Sequence, residues 1–331
     1  MIVGRGKRRL RRQEKGEVGI EVLMRGQFKR LIQCVIYLLV AWSLFLSCQA
    51  PRSIIPHPPP LNASYPGSGL VAVLSDYGTR DFYVGALEGD MYTANPRVRI
   101  TTITHHIEPF NVAEGSYVLV QAAREFPPGT VFLAVVDPGV GTARRCILVQ
   151  TPDHKLFVAP DNGLLSGVIE KLGVAHAYEI RNYSLMRQAG VSATFHGRDI
   201  LGPVAAHLAG DIQPSEVGPK ITDLIELPVT AARHDGDAVV GFVVHVDRYG
   251  NMITNIPATM VKQMGFEPGI RLQVTIGGKM VAATLATAYG DVPEGSWLAL
   301  INAEKVLEIA RNLANAAETV GAKAGTGVRL E

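Results

Sequence analysis

Apolar runs and amphipathic stretches alternate along the first part of the chain beyond residue 68. Three runs have the length and β-branched content of buried strands: 69–74, 98–103 and 131–136. Helical periodicity fills the stretches between them, at 82–94 and 111–125. Strands that are apolar throughout and alternate with helices are typical of a mainly parallel sheet covered on both faces. The pattern therefore predicts a three-layer α/β domain, which we place at 69–227.

After about residue 225 the pattern changes to strand-like runs that are separated by Gly-containing turns. The predicted strands lie at 239–246, 271–276, 280–287 and 296–301. A last amphipathic stretch at 303–318 predicts a helix. Short strands without long intervening helices are typical of an antiparallel sheet. The sequence thus predicts a smaller C-terminal antiparallel β domain at 228–331, and an α/β fold class for the chain as a whole.

The first 68 residues differ from the rest of the chain. Three basic residues precede an apolar stretch at 31–46, which is the order found in a signal sequence. This stretch ends at Ser47 and Cys48, a pair that resembles a bacterial lipobox and predicts lipidation of Cys48. An uncleaved signal anchor is the alternative. We therefore interpret residues 1–48 as a leader, residues 49–68 as a Pro-rich linker, and the protein as an exported, membrane-anchored lipoprotein.

Charge and cysteine content bear on nucleic-acid binding and on disulfide bonds. Residues 1–47 contain ten Lys or Arg and three acidic residues, out of totals of 32 and 30. The remainder therefore has 22 basic and 27 acidic residues, a net charge of −5, so the sequence predicts no nucleic-acid partner. Of the three cysteines only Cys146 belongs to the predicted domains, which leaves no internal disulfide there.

Four polar clusters carry candidate chemistry. They read SDYGTRD at 75–81, DPGVGTARR at 137–145, TFHGRD at 194–199 and DRYGN at 247–251. The first two follow predicted strands, and ligands of open α/β sheets bind at that carboxyl edge. Each cluster taken alone also has a purely structural explanation. Asp76 could cap a helix, the glycines after Asp137 could serve a tight turn, and His196 could be a satisfied histidine.

Six segments that occur in one order along the chain are together more specific for a family than any one of them alone. They are SDYGTRDFYVG, HHIEPFNVAEGSYVL, FPPGTVFLAVVDPGVGT, APDNGLLS, TFHGRDILGPVAAHLA and VDRYGNMITNI. Together they resemble the S-adenosylmethionine (SAM) hydroxide adenosyltransferase family, whose relatives include 5′-fluorinases and 5′-chlorinases. The resemblance extends over about residues 69–331. It implies hydrolysis of SAM to adenosine and methionine by an N-terminal catalytic domain, with SAM as substrate and no cofactor.

The resemblance also implies an assembly and a set of catalytic residues. Family members form trimers, and substrate binds between the N-terminal domain of one subunit and the C-terminal domain of the next. The hydrolases use an Asp–Arg–His set without a metal, and the matching positions here are Asp137, Arg144 and His196. Arg145 is adjacent, so the choice of Arg144 rests on its spacing of seven residues from the aspartate. His196 and Asp137 would orient and deprotonate a water, and Arg144 would hold Asp137.

Substrate-binding positions follow from the same resemblance. It implies Asp76 at the ribose hydroxyls, Asp81 and Asp247 near the methionine ammonium, Phe110 against the ribose, and Asn251, Arg311 and Asn312 at the adenine. Ala303 departs from the pattern, because many relatives carry a serine there that contacts the methionine carboxylate. The resemblance therefore implies that residue 303 makes no hydroxyl contact with the methionine carboxylate here.

Three other functions remain open at this point. Halogenation is disfavoured, because halogenases have an aromatic residue at the position of Asp137 and a serine at that of Gly197. A metal-dependent hydrolase could use Asp76, His105, His106, Asp137 and His196, although HHxE lacks the spacing of a zinc helix. A non-catalytic nucleoside-binding lipoprotein could keep the same pocket for capture. Sensitivity to chelator and turnover of SAM would distinguish them.

Overall fold

A computed structural model describes residues 68–210, 212–228 and 230–331. The predicted leader with Cys48, and nearly all of the predicted linker at 49–68, lie outside the described residues. The described part holds two sheets, one in each of the predicted domains.

The first sheet has six strands, in the order β2-β1-β3-β5-β4-β6. Their bounds are β1 Leu70–Ser75, β2 Arg99–Thr104, β3 Val131–Val135, β4 Cys146–Gln150, β5 Leu156–Pro160 and β6 His176–Glu179. Strands β2, β1, β3 and β5 run parallel, and β4 is antiparallel to both of its neighbours. The predicted mainly parallel sheet is confirmed. The last three strands of this sheet were not predicted.

Helices cover both faces of this sheet. Their bounds are α1 Tyr83–Ala94, α2 Val112–Arg124, α3 Ser166–Leu172 and α4 Gly202–Leu208. Alternate residues of β1 point to opposite faces. Val71 and Val73 pack in one core with α1 and α4, whereas Ala72 and Leu74 pack in another with α2 and α3. The three-layer architecture follows from strands that are apolar on both faces.

The second sheet is a closed barrel. Its order is β14-β10-β11-β12-β13-β9-β8-β7, and β14 also pairs with β8. The bounds are β7 Arg233–Asp235, β8 Ala238–Val246, β9 Met252–Pro257, β10 Arg271–Ile276, β11 Lys279–Leu285, β12 Trp297–Ile301, β13 Val306–Arg311 and β14 Gly327–Leu330, with short helices α5 Ala258–Gln263 and α6 Ala316–Val320. All pairs are antiparallel except β11 with β12. The predicted C-terminal antiparallel β domain is confirmed.

The helix predicted at 303–318 is wrong. The structure has strand β13 there, then a turn, and then the short helix α6. Apolar residues at 306, 307, 309 and 310 satisfy both helical and strand periodicity, and pairing with β12 and β9 selects the strand. Helix α6 begins only after Asn315, whose Oδ1 accepts from the amide of Glu318 at 2.8 Å.

The boundary predicted at 227/228 stays a prediction. Residues on both sides of it belong to one compact unit. The segment that leads to the barrel lies along the first domain, where the amide of Leu227 donates to Ser166 Oγ at 2.7 Å. The barrel also touches helix α2, because His245 Nδ1 lies 3.4 Å from Glu114 Oε1.

Candidate active site

A cleft of about 370 Å³ lies at the carboxyl edge of the parallel strands. The loops that follow β1, β2 and β3 form its walls, together with the segment that enters α4. The lining residues are Asp76, Tyr77, Tyr83, Pro109, Phe110, Val135, Asp137, Val140, Thr194, Phe195, His196 and Gly197. The polar clusters of the sequence at 75–81, 137–145 and 194–199 therefore meet at one site, as expected for an open α/β sheet.

Asp76 is presented to the cleft by the turn that ends β1. Its Oδ2 accepts from the amide of Phe110 at 3.0 Å, and burial raises the pKa of the Asp76 carboxyl above its ordinary value. Phe110 has a positive φ of 68° and is 71% exposed. A bulky residue rarely adopts that conformation, so the loop holds the ring over the mouth of the cleft against a conformational cost. An acid and an exposed aromatic ring thus share one wall.

Asp137 and Arg144 form a nearly buried ion pair across the loop between β3 and β4. Arg144 Nε donates to Oδ1 at 2.9 Å, and Nη2 donates to Oδ2. The two side chains are only 6% and 8% exposed. A glycine is required within this loop, because Gly141 has a φ of +79° and an added Cβ would lie 2.3 Å from the Ala193 carbonyl. The close approach brings the loop against the segment that carries His196.

His196 completes a hydrogen-bonded set with this pair. Its Nδ1 lies 3.0 Å from Arg144 Nη2. Because a guanidinium only donates, Nδ1 is the acceptor, and neutral His196 carries its proton on Nε2. Burial, and then the charge of Arg144, lower the pKa of His196 below its ordinary value. The imidazole is therefore neutral near pH 7 and presents an N–H group.

Asp199 is fully buried, and its hydrogen bonds fix the segment around His196. Asp199 Oδ1 accepts from Arg198 Nε at 2.6 Å, and Oδ2 accepts from the amide of Ser192 at 2.8 Å. A π-helical turn at Gly197–Leu201 follows His196 and leads into α4. Such π-helical turns are rare in proteins as a whole, and those that occur often lie at functional sites.

The structure also separates the two adjacent arginines. Arg144 faces Asp137, as its spacing predicted, whereas Arg145 points away and pairs with Asp161 and Asp223. Arg144 makes two further contacts, through Nη1, with the carbonyl of Arg145 at 3.2 Å and with Cys146 Sγ at 3.0 Å. The structure brings Asp137, Arg144 and His196 together, and their catalytic roles stay predictions.

Several residues of the site were not identified from the sequence. The rings of Tyr77, Tyr83 and Phe195 contact one another with centroids 5.5–6.0 Å apart. Arg198 lies 4.7 Å over the Phe195 ring and holds it in place. All three aromatic residues are within or next to motifs of the sequence, at 75–81 and 194–199, but only their packing shows that they wall the cleft.

The remaining predicted binding residues lie apart from the cleft lining. Asp81 is exposed in the turn before α1. Asp247 accepts from the amide and the side chain of Asn251, at 2.9 and 2.8 Å, within the turn between β8 and β9. Arg311 donates to the Gly295 carbonyl and Asn312 to the Val292 carbonyl at one end of the barrel. The cleft lining itself comes entirely from residues 76–197.

The metal-dependent alternative finds little support in the donor geometry. His105 Nδ1 lies 2.8 Å from Ser75 Oγ, and His196 Nδ1 already accepts from Arg144. Within the part of the chain that the structure describes, no group of three or more His, Cys, Asp or Glu side chains is arranged to hold a metal ion.

Comparisons with known proteins agree with the site. Residues 71–218 match the SAM hydroxide adenosyltransferase N-terminal domain, and residues 241–329 match the C-terminal domain of that family. The (R)-S-adenosyl-L-methionine hydrolase of Salinispora tropica is 35% identical over 78% of this chain and 97% of its own length. The hydrolase of Thermus thermophilus is 35% identical over 78% of this chain and 98% of its own length. The fluorinase of Nocardia brasiliensis is 29% identical over 79% of this chain and 96% of its own length.

Solved structures show the same fold. The crystal structure of an uncharacterized conserved protein from Thermotoga maritima superposes with a TM-score of 0.76 at 40% identity. The match covers 78% of this chain and 99% of that protein.

The predicted localisation as an exported lipoprotein is wrong. The hydrolases to which this chain is similar are matched over 90–98% of their own length by 75–78% of this chain, and nothing in these similarities supports an exported lipoprotein. Over the residues that the structure describes, no helix has both the length and the apolar character to cross a membrane. The prediction rested on a local pattern of basic and apolar residues and on the resemblance of Ser47 and Cys48 to a lipobox.

The order of the motifs, the two-domain architecture and these similarities agree, and the chain belongs to the SAM hydroxide adenosyltransferase family.

Proposed function

We propose that this protein hydrolyses S-adenosyl-L-methionine at C5′ of the ribose, giving adenosine and L-methionine. The observation that carries the proposal is the hydrogen-bonded set of Asp137, Arg144 and His196 on a cleft that also presents Asp76. The names of the relatives from Salinispora tropica and Thermus thermophilus support the same substrate.

The chemistry requires little more than a positioned water. Water oxygen forms a bond to C5′ while the C5′–S bond breaks, and its electron pair goes to the sulfonium sulfur. Methionine leaves as a neutral thioether, so no acid is needed on the leaving side. One proton is lost from the attacking water, and the products are adenosine, methionine and that proton. Such a site accelerates the reaction mainly by aligning the water with the C5′–S bond and by placing an acceptor for its proton nearby.

The hydrogen bonds support one role for each of the three residues. Asp137 is the anionic acceptor for the proton of the water, through lone pairs that Arg144 leaves free. His196 binds Arg144 through Nδ1, so its Nε2–H is a donor that orients the water oxygen rather than a base. Arg144 holds both partners through charge-assisted hydrogen bonds.

The barrel residues enter the proposal through a second copy of the chain. Asp247, Asn251, Arg311 and Asn312 lie apart from the lining of the cleft, which residues 76–197 form. A homotrimer in which the barrel end of one subunit covers the cleft of the next would bring these polar side chains to the adenine and the methionine. The exposed Phe110 ring at the mouth of the cleft supports such a covering surface.

Halogenation is the main alternative among the relatives, and the geometry favours hydrolysis. A halide would lie beside the Asp137 carboxylate, which repels it. Gly197 offers no hydroxyl, and a side chain there would meet Tyr77 Oη, since an added Cβ would be 2.2 Å from that atom. A halide would therefore meet a carboxylate at residue 137 and would find no hydroxyl on residue 197.

The deciding experiment incubates the purified full chain with SAM, with and without EDTA, and follows adenosine and methionine by chromatography. We expect adenosine in both conditions, no 5′-halo-adenosine when chloride or fluoride is added, and loss of turnover in Asp137→Ala. Adenosine formation only without EDTA would support the metal-dependent alternative. Tight binding of SAM without turnover would make the protein a capture protein, and neither binding nor turnover would refute the substrate.

A further inference from the structure

The turn after β5, at Asp161-Asn162-Gly163, has no role in the proposed reaction, yet it lies directly beneath the loop that carries two of the catalytic residues. In the sheet, β5 lies between β3 and β4. The chain leaves β3, crosses over the end of β5 through residues 136–145, and returns as β4. The first residues after β5 therefore meet both ends of the crossing loop.

Asn162 holds the end of the loop that follows β3. Its Nδ2 donates to the carbonyl of Val136 at 2.9 Å, immediately before Asp137. Its Oδ1 accepts from the amide of Leu164 at 3.1 Å, which sets the orientation of the side-chain amide. Both functional groups of Asn162 are thereby used, and the donor side is committed to the residue before the catalytic aspartate.

Asp161 holds the other end, which leads into β4. Its carboxylate is 2% exposed and accepts from Arg145 Nε at 2.9 Å, while its amide donates to the Arg145 carbonyl at 2.9 Å. That same carbonyl accepts from Arg144 Nη1 at 3.2 Å. The backbone oxygen of Arg145 is thus shared between the turn and the catalytic arginine.

We propose that Asp161 and Asn162 are positioning residues that fix the separation of Asp137 and Arg144 by fastening both ends of the loop between them. The inference rests on the proposed function, because it concerns the geometry of that reaction. The loop contains Gly139 and Gly141 and would otherwise sample many conformations. Without the two attachments, Arg144 would lose its paired contacts with Asp137 and its contact with His196, and misplacement by about 1 Å is enough to cost ~100-fold in rate.

The chain offers a matched control for Asn162. Asn182 makes the same two kinds of hydrogen bond, with Nδ2 donating to the Glu216 carbonyl at 2.9 Å and Oδ1 accepting from the Ser184 amide at 3.1 Å, and its Oδ1 also accepts from the Ser184 hydroxyl at 2.6 Å. Asn162→Asp and Asn182→Asp each turn the donor into an oxygen that faces a carbonyl. Asn162→Ala and Asn182→Ala remove the contact without adding charge. Each pair should therefore lose similar stability.

The test measures kcat, KM and thermal unfolding for these four variants and the wild type. We expect both Asn162 variants to lower kcat by about 10- to 100-fold with KM changed less than about threefold, because the Asp76 side of the cleft is untouched. The Asn182 variants should retain wild-type kcat. Equal kcat in the two series overturns the inference while leaving the proposed function intact, whereas a wild type without turnover overturns the function first.

A readout independent of turnover is the pKa of His196, followed by NMR titration. Burial lowers that pKa most and the charge of Arg144 lowers it further, so displacement of Arg144 in Asn162→Ala should raise it, and Asn182→Ala should leave it unchanged. An unchanged His196 pKa in Asn162→Ala would contradict the positioning role.

If the Asn162 variants fail to fold, Arg145→Gln tests the other end of the loop, since the Arg145 side chain is part-exposed and its removal leaves Asn162 in place. Its control is Arg181→Gln, which breaks the exposed ion pair of Arg181 with Glu179. We expect a loss of kcat of about 3- to 10-fold for Arg145→Gln alone. Equal rates in the two arginine variants would overturn the inference.

Discussion

Arg144 donates a hydrogen bond to Nδ1 of His196 across 3.0 Å, and this contact decides which nitrogen of the imidazole faces the substrate. The same guanidinium binds both carboxylate oxygens of Asp137. One arginine therefore orients an acceptor and a donor at once. The arrangement has the character of a pre-organised site, in which the groups need little movement during reaction.

Removal of the imidazole should impair turnover more than binding. We expect His196→Ala to lower kcat by about 100-fold and to change the Kd for adenosine less than threefold, because the lost donor orients the water rather than the nucleoside. His207→Ala is the control, since His207 is also partly buried with a lowered pKa but lies on α4 away from the cleft lining. Steady-state kinetics and calorimetry measure both variants. Wild-type kcat in His196→Ala would remove His196 from the mechanism.

We expect kcat/KM to fall on the acidic side only below pH 6.5. Burial and the charge of Arg144 lower the pKa of His196 from 6.5, so the neutral, active form persists to more acidic pH than for a free histidine. As pH falls through that lowered pKa, protonation places a second N–H against Arg144 and breaks the contact. The profile of kcat/KM reports this group in the free enzyme. A half-maximal point above pH 6.5 would contradict the expectation.

Asp137 should matter for stability as well as for rate. Asp137→Asn leaves the nearly buried Arg144 guanidinium without its counter-charge, which costs about 3 kcal/mol when a buried pair is broken. We expect a clear fall in unfolding temperature together with loss of turnover. Asp235→Asn breaks the pair with Arg329, in which both side chains are exposed, and should cost much less stability. Denaturant unfolding compares the two, and equal losses would show that burial does not set the cost.

Gly197 should be required because Tyr77 occupies the adjacent space. In Gly197→Ala the new Cβ would lie 2.2 Å from Tyr77 Oη, so either the ring or the turn must move. We expect kcat/KM to fall about 10-fold or more. Tyr77→Phe removes the oxygen and should restore part of that loss in the double variant, which a double-mutant cycle measures.

The control for this substitution is Gly89→Ala in α1, where an added Cβ meets nothing within 4 Å. That change should be neutral for activity and slightly stabilising, because alanine favours the helix over glycine. Simple additivity of Gly197→Ala and Tyr77→Phe would show that the two residues do not compete for space.

The sequence by itself determined the architecture of the first domain and three of the six strands of its sheet. Runs such as 69–74 and 131–136 are apolar on both faces, which only a covered parallel sheet satisfies, and strand ends then bring Asp76 and Asp137 to one edge. Local patterning carries this information because it follows directly from backbone period and strand direction. The choice of Arg144 over Arg145 came instead from the family resemblance, in which the arginine lies seven residues after the aspartate.

Tertiary structure decided between conformations that fit the local sequence pattern equally well. The stretch 303–318 fits both helical and strand periods, and pairing of β13 with β12 and β9 made part of it a strand. Local pattern likewise does not predict that Asp161 and Asn162 follow a strand lying between β3 and β4, and so meet both ends of the loop at 136–145. The proton position on His196 depends on Arg144, 52 residues away. Such contacts join residues far apart in the chain, and only the packed fold brings them within hydrogen-bond distance.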